Sequence, residues 1–365
     1  MAVWTDWDPL EEIIVGDCYS PGELDWSVAP EIKDSMNIIL KETKEDLNNL
    51  AELLTSMGVI VHRPNVTTHK SSVDLQNFQI NTPTAPMVPR DQYLVYGDTV
   101  YQTYTSLTDR YLDSVAYYDI FKKLFDQGSN WISAPPPRLD NQAQHHPHWG
   151  INGPEIYASL SDRLLWHTAT MFKCGDTIIV NNLGPGTAAG LEWIKRNIND
   201  TKFIDNTTTH MKGWGHIDHG FFMTDDNTVF CKSKEWVPAC LLDKDIHEVG
   251  IIQEDNILYN FLWPKWRALN PQLSEKISTD LIDNWLSQWK GYYQKINFDT
   301  NVLVVDSKNV IFSNDVPKRL FELMSAQGIT CHVSLQRHGY LWEGGIHCFT
   351  LDIKRLGERR SIINN

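Results

Sequence analysis

The chain predicts an α/β fold made of one hairpin–helix–strand unit written five times. Short apolar strands recur in pairs around tight acidic or glycine turns, as at Tyr93–Val100, Met171–Val180 and Val302–Phe312. Behind most pairs comes a stretch with helical spacing, then one more short apolar strand. The copies return at broadly similar intervals, and internal repetition outranks local propensity as a sign of architecture.

The first unit opens near residue 13 with Ile13-Ile14-Val15. Ile32, Met36, Ile39, Leu40, Leu47, Leu50 and Leu54 then mark a helix from Glu31 to Met57, closed by Gly58 and followed by Val59-Ile60-Val61. The second opens near 92, with a Gly97-Asp98 hairpin, a helix from about Leu107 to Phe125 and a strand at Trp131-Ile132. The third opens near 171, turns at Gly175-Asp176, and continues through a helix carrying Leu191, Ile194 and Ile198 to Phe203-Ile204. The fourth opens near 220 and turns at Asp225-Asp226-Asn227; its helix has the weakest pattern of the five. The fifth opens near 302, with Asp315 as the expected helix cap, Pro317 in the first turn, Gly328 after the last and Cys331-His332-Val333 leaving it. A closing strand over 346–354 completes the reading of residues 1–365 as a single domain of five ββαβ units in a pseudo-fivefold ring. Pro135 to Pro154 and Leu262 to Trp289 fall outside the repeat and read as insertions over it.

A net charge of -14 and a pI near 5.3 argue against a nucleic-acid or anionic-membrane surface and fit a carboxylate-lined site for a cation. The start Met1-Ala2-Val3-Trp4 lacks the basic and apolar pattern of a signal peptide, and no apolar run is long enough to span a bilayer. The expectation is a cytoplasmic protein. Cysteines at 18, 174, 231, 240, 331 and 348 form no Cys-x-x-Cys pair, so reduced thiols are expected.

A closed ring gathers the loops of every unit around one axis, where a small ligand can be held. The polar residues ahead of the inner strands are therefore the candidates. Cys348 follows Gly344 and Gly345, glycines placed where a ligand or another backbone must come close, so Gly345 is expected to line the substrate. A nucleophilic cysteine needs a proton acceptor and donor, which His216 supplies, and a positive neighbour that favours thiolate. A bound guanidinium would be that neighbour, gripped by Asp91 and Asp218, with Arg90 beside Asp91 in the binding loop. His216-Ile217-Asp218-His219 matches no strong zinc spacing, His145-His146-Pro147-His148 reads as an exposed loop capable at most of weak adventitious metal binding, and no metal is expected.

These motifs resemble those of the amidinotransferases of the glycine amidinotransferase type, within the pentein α/β-propeller fold. The resemblance rests on Trp7-Asp8-Pro9-Leu10-Glu11-Glu12-Ile13-Ile14-Val15-Gly16, Pro89-Arg90-Asp91, Ala134-Pro135-Pro136-Pro137, Gly190-Leu191-Glu192-Trp193, His216-Ile217-Asp218 and Gly344-Gly345-Ile346-His347-Cys348. It implies transfer of an amidino group from arginine or a similar guanidino donor to an amine such as glycine, through an amidino-cysteine on Cys348, with no cofactor and a homodimeric assembly. A guanidino hydrolase and a guanidinium-binding homologue impaired in turnover stay open beside it. The chain departs from the family at Trp166-His167-Thr168-Ala169, where a Phe-Asp-Ala-Ala pattern is usual; His167 stands in place of the aspartate that supports the catalytic histidine. A second departure follows the fourth hairpin, where Lys232-Ser233-Lys234-Glu235-Trp236 stands in place of an arginine for the donor carboxylate.

Overall fold

The computed structural model describes residues 2–23, 30–66, 73–75, 78–80, 85–105, 110–138, 160–182, 184–206, 216–250, 300–313, 316–339, 342 and 344–364. Five three-stranded sheets and one two-stranded hairpin are found among them. Each three-stranded sheet is an antiparallel pair with a third strand added parallel.

The first sheet is built from both ends of the chain. β1 (Leu10–Val15) pairs antiparallel with the last strand (Thr350–Arg355) and parallel with β2 (Ile60–His62), which follows α1 (Pro30–Ser56). The small hairpin β3 (Val73–Leu75) and β4 (Phe78–Ile80) comes next, with no counterpart in the sequence reading. The second sheet joins β5 (Tyr93–Tyr96), β6 (Thr99–Gln102) and β7 (Asn130–Ser133), with α2 (Asp113–Asp126) crossing between. The third joins β8 (Met171–Cys174), β9 (Thr177–Val180) and β10 (Lys202–Asp205) around α3 (Ala188–Asn197). The fourth holds β11 (Phe221–Met223), β12 (Thr228–Cys231) and β13 (Asp245–Glu248), and the fifth β14 (Leu303–Asp306), β15 (Asn309–Phe312) and β16 (Thr330–Val333) around α4 (Lys318–Ala326). The last strand is β17.

Local chemistry explains the differences from the expected elements. In the fourth unit two 3-10 turns, Lys234–Trp236 and Ala239–Leu241, replace the helix, because Pro238 lacks an amide proton and interrupts any longer ladder. α2 begins at Asp113, and Leu107, its expected start, lies outside the described residues. Pro317 caps α4 from an extended conformation (φ -54, ψ 134) instead of entering it. Asp315, most of Pro135 to Pro154, and Leu262 to Trp289 lie outside the described residues. At the hairpin tips Gly97 and Gly175 take positive φ of 59 and 69, the left-handed turn that an L side chain resists.

The antiparallel pair of each three-stranded sheet is largely buried on both faces, while the added parallel strand is partly exposed. Val95, Val100, Ile178, Ile179, Val229, Val310 and Ile311 are all at or below 1% exposure, and each such side chain contributes roughly 1.5–3 kcal/mol through burial. Polar residues at the inner ends of the strands form a separate, ionic core. Lys173 Nζ lies 2.7 Å from Asp6 and 3.7 Å from Asp352; Arg90 lies 3.2 Å from Asp352 and 3.6 Å from Asp6; Arg355 donates to Asp352 at 3.0 Å. The opposed charges and their hydrogen bonds offset the cost of burial. Asp352 and Asp6 are both held below the usual carboxylate range: burial pushes them up, and the neighbouring cations outweigh it.

Candidate active site

Immediately ahead of the first strand of each unit the chain makes a short turn, and those turns meet. Pro89–Asp91 precedes β5, Thr168–Thr170 precedes β8 and Ile217–His219 precedes β11, each a single 3-10 turn. Asn301 stands two residues before β14, and Cys348 two residues before β17. Cys348 therefore lies in the turn that leads into the closing strand and not in the strand itself.

The turns bring five predicted residues together. Ligand atoms of His216, Asp218, His219 and Cys348 all lie within 4.8 Å of one another, and so do those of Asp91, His167 and His216. Cys348 Sγ is 3.9 Å from Asp218 Oδ2, and His216 Nε2 is 3.7 Å from Asp91 Oδ1. His167 Nδ1 lies 3.4 Å from His216 Nε2. Each of the two carboxylates is fixed through one oxygen. Arg110 holds Asp91 Oδ2 at 2.5 Å, while Asn301 Nδ2 at 2.8 Å and His347 Nδ1 at 2.7 Å hold Asp218 Oδ2. The other oxygens, Asp91 Oδ1 and Asp218 Oδ1, are buried with no hydrogen-bond partner among the described residues. Buried carboxylate oxygens left so are costly unless a cationic donor arrives to satisfy them.

Two residues expected to bind substrate are placed otherwise. Arg90 donates from Nε to the carbonyls of His347 (2.8 Å) and Thr350 (3.2 Å) and pairs with Asp352 and Asp6. Its charge is neutralised beneath the Cys348 turn, because the side chain leaves the loop towards the ionic core. Gly345 makes room for protein: a Cβ there would meet Asn301 Oδ1 at 2.4 Å. That oxygen accepts from the amides of His347 (3.1 Å) and Cys348 (3.4 Å), while Asn301 Nδ2 stands 3.1 Å from Cys348 Sγ. Asn301 thus sets both the backbone and the sulfur of the Cys348 turn. The sequence reading passed over it, although its place ahead of β14 matches that of Asp91 ahead of β5. Arg110 and His347 were passed over too, since their roles come from contacts 19 and 129 residues away.

The electrostatics are those of a site short of one cation. Burial, reinforced by the charges of Asp218 and Asp91, pushes the Cys348 thiol well above the usual cysteine range, against the opposing hydrogen bonds of Gly345 and Asn301. Asp218 stays ionised: burial alone would raise it, but the hydrogen bond from His347 and the adjacent imidazoles pull it below the ordinary carboxylate range. His219 is pushed down to about 3, first by burial, with Asp218 pulling the other way. His347 is lowered by burial and by Arg90, and serves as a neutral donor to Asp218. A raised thiol pKa keeps sulfur neutral over more of the pH scale. In the ligand-free protein, alkylation of Cys348 by iodoacetamide, followed by peptide mass spectrometry, is expected to remain slow at neutral pH and to climb only above the range where free cysteine ionises. A plateau at or below that range would overturn this reading.

No family model matches the chain. Among curated proteins it is 29% identical to inosamine-phosphate amidinotransferase 1 of Streptomyces griseus over 216 residues, covering 55% of this chain and 60% of that one. Against the Streptomyces glaucescens protein of the same name identity is 26% over 382 residues, with 98% and 97% covered. The mitochondrial glycine amidinotransferase of Xenopus tropicalis is 22% identical, with 98% and 83% covered. Two solved structures, an amidinotransferase of saxitoxin biosynthesis from Microseira wollei and the S. griseus inosamine-phosphate amidinotransferase, superpose with TM-scores of 0.68 at 21% identity and cover 99% or more of both chains. A dimethylarginine dimethylaminohydrolase superposes at 0.53 with 11% identity, a likeness of fold.

The fold is that of the pentein superfamily, five small α/β units in a propeller. Along nearly its whole length the chain is similar to proteins named inosamine-phosphate and glycine amidinotransferases, a likeness that indicates a transferase enzyme.

Proposed function

We propose that the protein moves the amidino group of arginine or a similar guanidino donor to an amine acceptor through an amidino-cysteine on Cys348. The observation that carries this reading is the pair of unpartnered carboxylate oxygens, Asp91 Oδ1 and Asp218 Oδ1, beside a thiol and an imidazole. A planar guanidinium presents several N–H donors and one positive charge, which suits two acceptor oxygens short of both.

The same cation solves the problem of the neutral thiol. Its charge offsets those of Asp91 and Asp218, so the Cys348 proton can pass to His216 as sulfur attacks the guanidino carbon. The C–N bond to the rest of the donor breaks, His216 returns the proton to the departing amine, and an S-amidino cysteine remains. An incoming amine then attacks that carbon, loses a proton to His216 and releases the thiolate. The curated relatives are named for glycine and for inosamine phosphates, and an amine of one of these kinds is the expected acceptor.

The experiment is intact-protein mass spectrometry after brief incubation with arginine and with other guanidino donors. A gain of one amidino group mapped to Cys348, discharged as an amidinated product when an amine is added, supports the reading. Urea or citrulline-type products with no amidinated amine would replace it with a hydrolase. Thermal stabilisation by donors without any adduct would replace it with a binding protein.

A further inference from the structure

We propose that the turn preceding β11 and the nucleophile turn together form a site for a soft divalent cation, zinc fitting it best, with His216, Asp218, His219 and Cys348 as ligands. The site is invisible in sequence spacing because its sulfur comes from 129 residues beyond His219. In the fold the four donor atoms lie within 4.8 Å of one another, all buried. Two imidazole nitrogens, a thiolate and a carboxylate oxygen are a donor set that zinc takes readily in tetrahedral geometry.

The distances are close to what the metal needs. Bonds of about 2.0–2.3 Å place tetrahedral donors roughly 3.4 Å apart. One donor atom from each of the four residues falls within 4.8 Å of the others; Asp218 Oδ1 is 3.8 Å from His219 Nε2, while Cys348 Sγ lies 3.9 Å from the other oxygen of that carboxylate. The independent pointer to a ligand is Asp218 itself: the residue is 4% exposed, and its Oδ1 has no hydrogen-bond partner among the described residues. Its Oδ2 is fixed by Asn301 and His347, the kind of outer hydrogen bonding that orients a ligating carboxylate.

His219 is what distinguishes this site from the guanidino chemistry proposed above, which gives it no role. Buried at 5% exposure with its ring centroid 5.7 Å from that of His216, it supplies the second nitrogen. On binding, the Cys348 S–H bond breaks, its proton leaves to the buffer, and a Zn–S bond forms. The metal then occupies the nucleophile and supplies the positive charge the two carboxylates lack, so it blocks the site.

The test uses the full chain stripped of metal and zinc chloride alone. The structure predicts one zinc retained per chain after desalting, protection of Cys348 from iodoacetamide by one equivalent, and, with cobalt in place of zinc, a thiolate-to-metal absorption band. His219→Ala is expected to weaken binding about tenfold or more, and Cys348→Ser to abolish the cobalt band. Alanine at His145, His146 and His148 together should change none of these. Absence of retained zinc, or zinc that leaves Cys348 as reactive as before and is lost only in the triple variant, overturns the proposal. The protection readout needs no variant and stands even where a substitution fails to fold.

Discussion

Cys348→Ser is expected to abolish amidino labelling with every donor while leaving the fold in place. The hydroxyl is close in size to the thiol and can take the same hydrogen bond from Asn301 Nδ2, which stands 3.1 Å from Sγ. A serine hydroxyl beside two carboxylates, however, is far harder to ionise than a thiol, and the guanidinium charge that frees sulfur does not free oxygen to the same extent. The labelled fraction after a fixed incubation should fall by about 10³-fold or more, with the thermal midpoint within a few degrees of the parent. Because none of the other five cysteines appears among the ligand groups of this cluster, adduct surviving at full level in the variant would mean that the nucleophile has been misassigned. Peptide mapping would then name the cysteine that carries it.

Much of this cluster could be read from the chain because its residues share one structural address. Asp91, His216, Asp218 and Cys348 each fall just ahead of an apolar strand, and once the unit is seen to repeat, those addresses converge. What the sequence does not encode locally is the direction a side chain takes from its loop. Arg90 neighbours Asp91 in sequence, yet leaves towards Asp352 and Asp6 and ties the His347 carbonyl in place. Gly345 was read correctly as a point of close approach and wrongly as to what approaches, which is the Asn301 side chain. Asn301 was legible only by counting back from β14, for its residue type advertises no chemistry. In the fold, the fourth unit's weak helical pattern reported a real absence, and the first unit hid its antiparallel pair because β17, its partner, lies at the other end of the chain.

His167→Asp is expected to accelerate formation of the Cys348 adduct about 10- to 100-fold, a barrier lower by about 1.4–2.7 kcal/mol. An aspartate Oδ is as many bonds from Cα as histidine Nδ1, so the new oxygen falls where Nδ1 now stands, 3.4 Å from His216 Nε2. As His216 takes the thiol proton it becomes an imidazolium. A neutral imidazole can accept its hydrogen bond but cannot offset its charge, whereas a carboxylate does both. Asp91 Oδ1, at 3.7 Å from the same nitrogen, is the nearest charge now able to help, and the guanidinium competes for it. The gain should therefore appear in the single-turnover rate with donor bound, and His167→Ala should not reproduce it. Asp91 and the new carboxylate would also repel in the empty site, so the variant's unliganded form should melt lower and be stabilised more by donor than the parent is. A rate unchanged or reduced in His167→Asp, with donor still bound, would show that His167 is not the partner on which His216 depends.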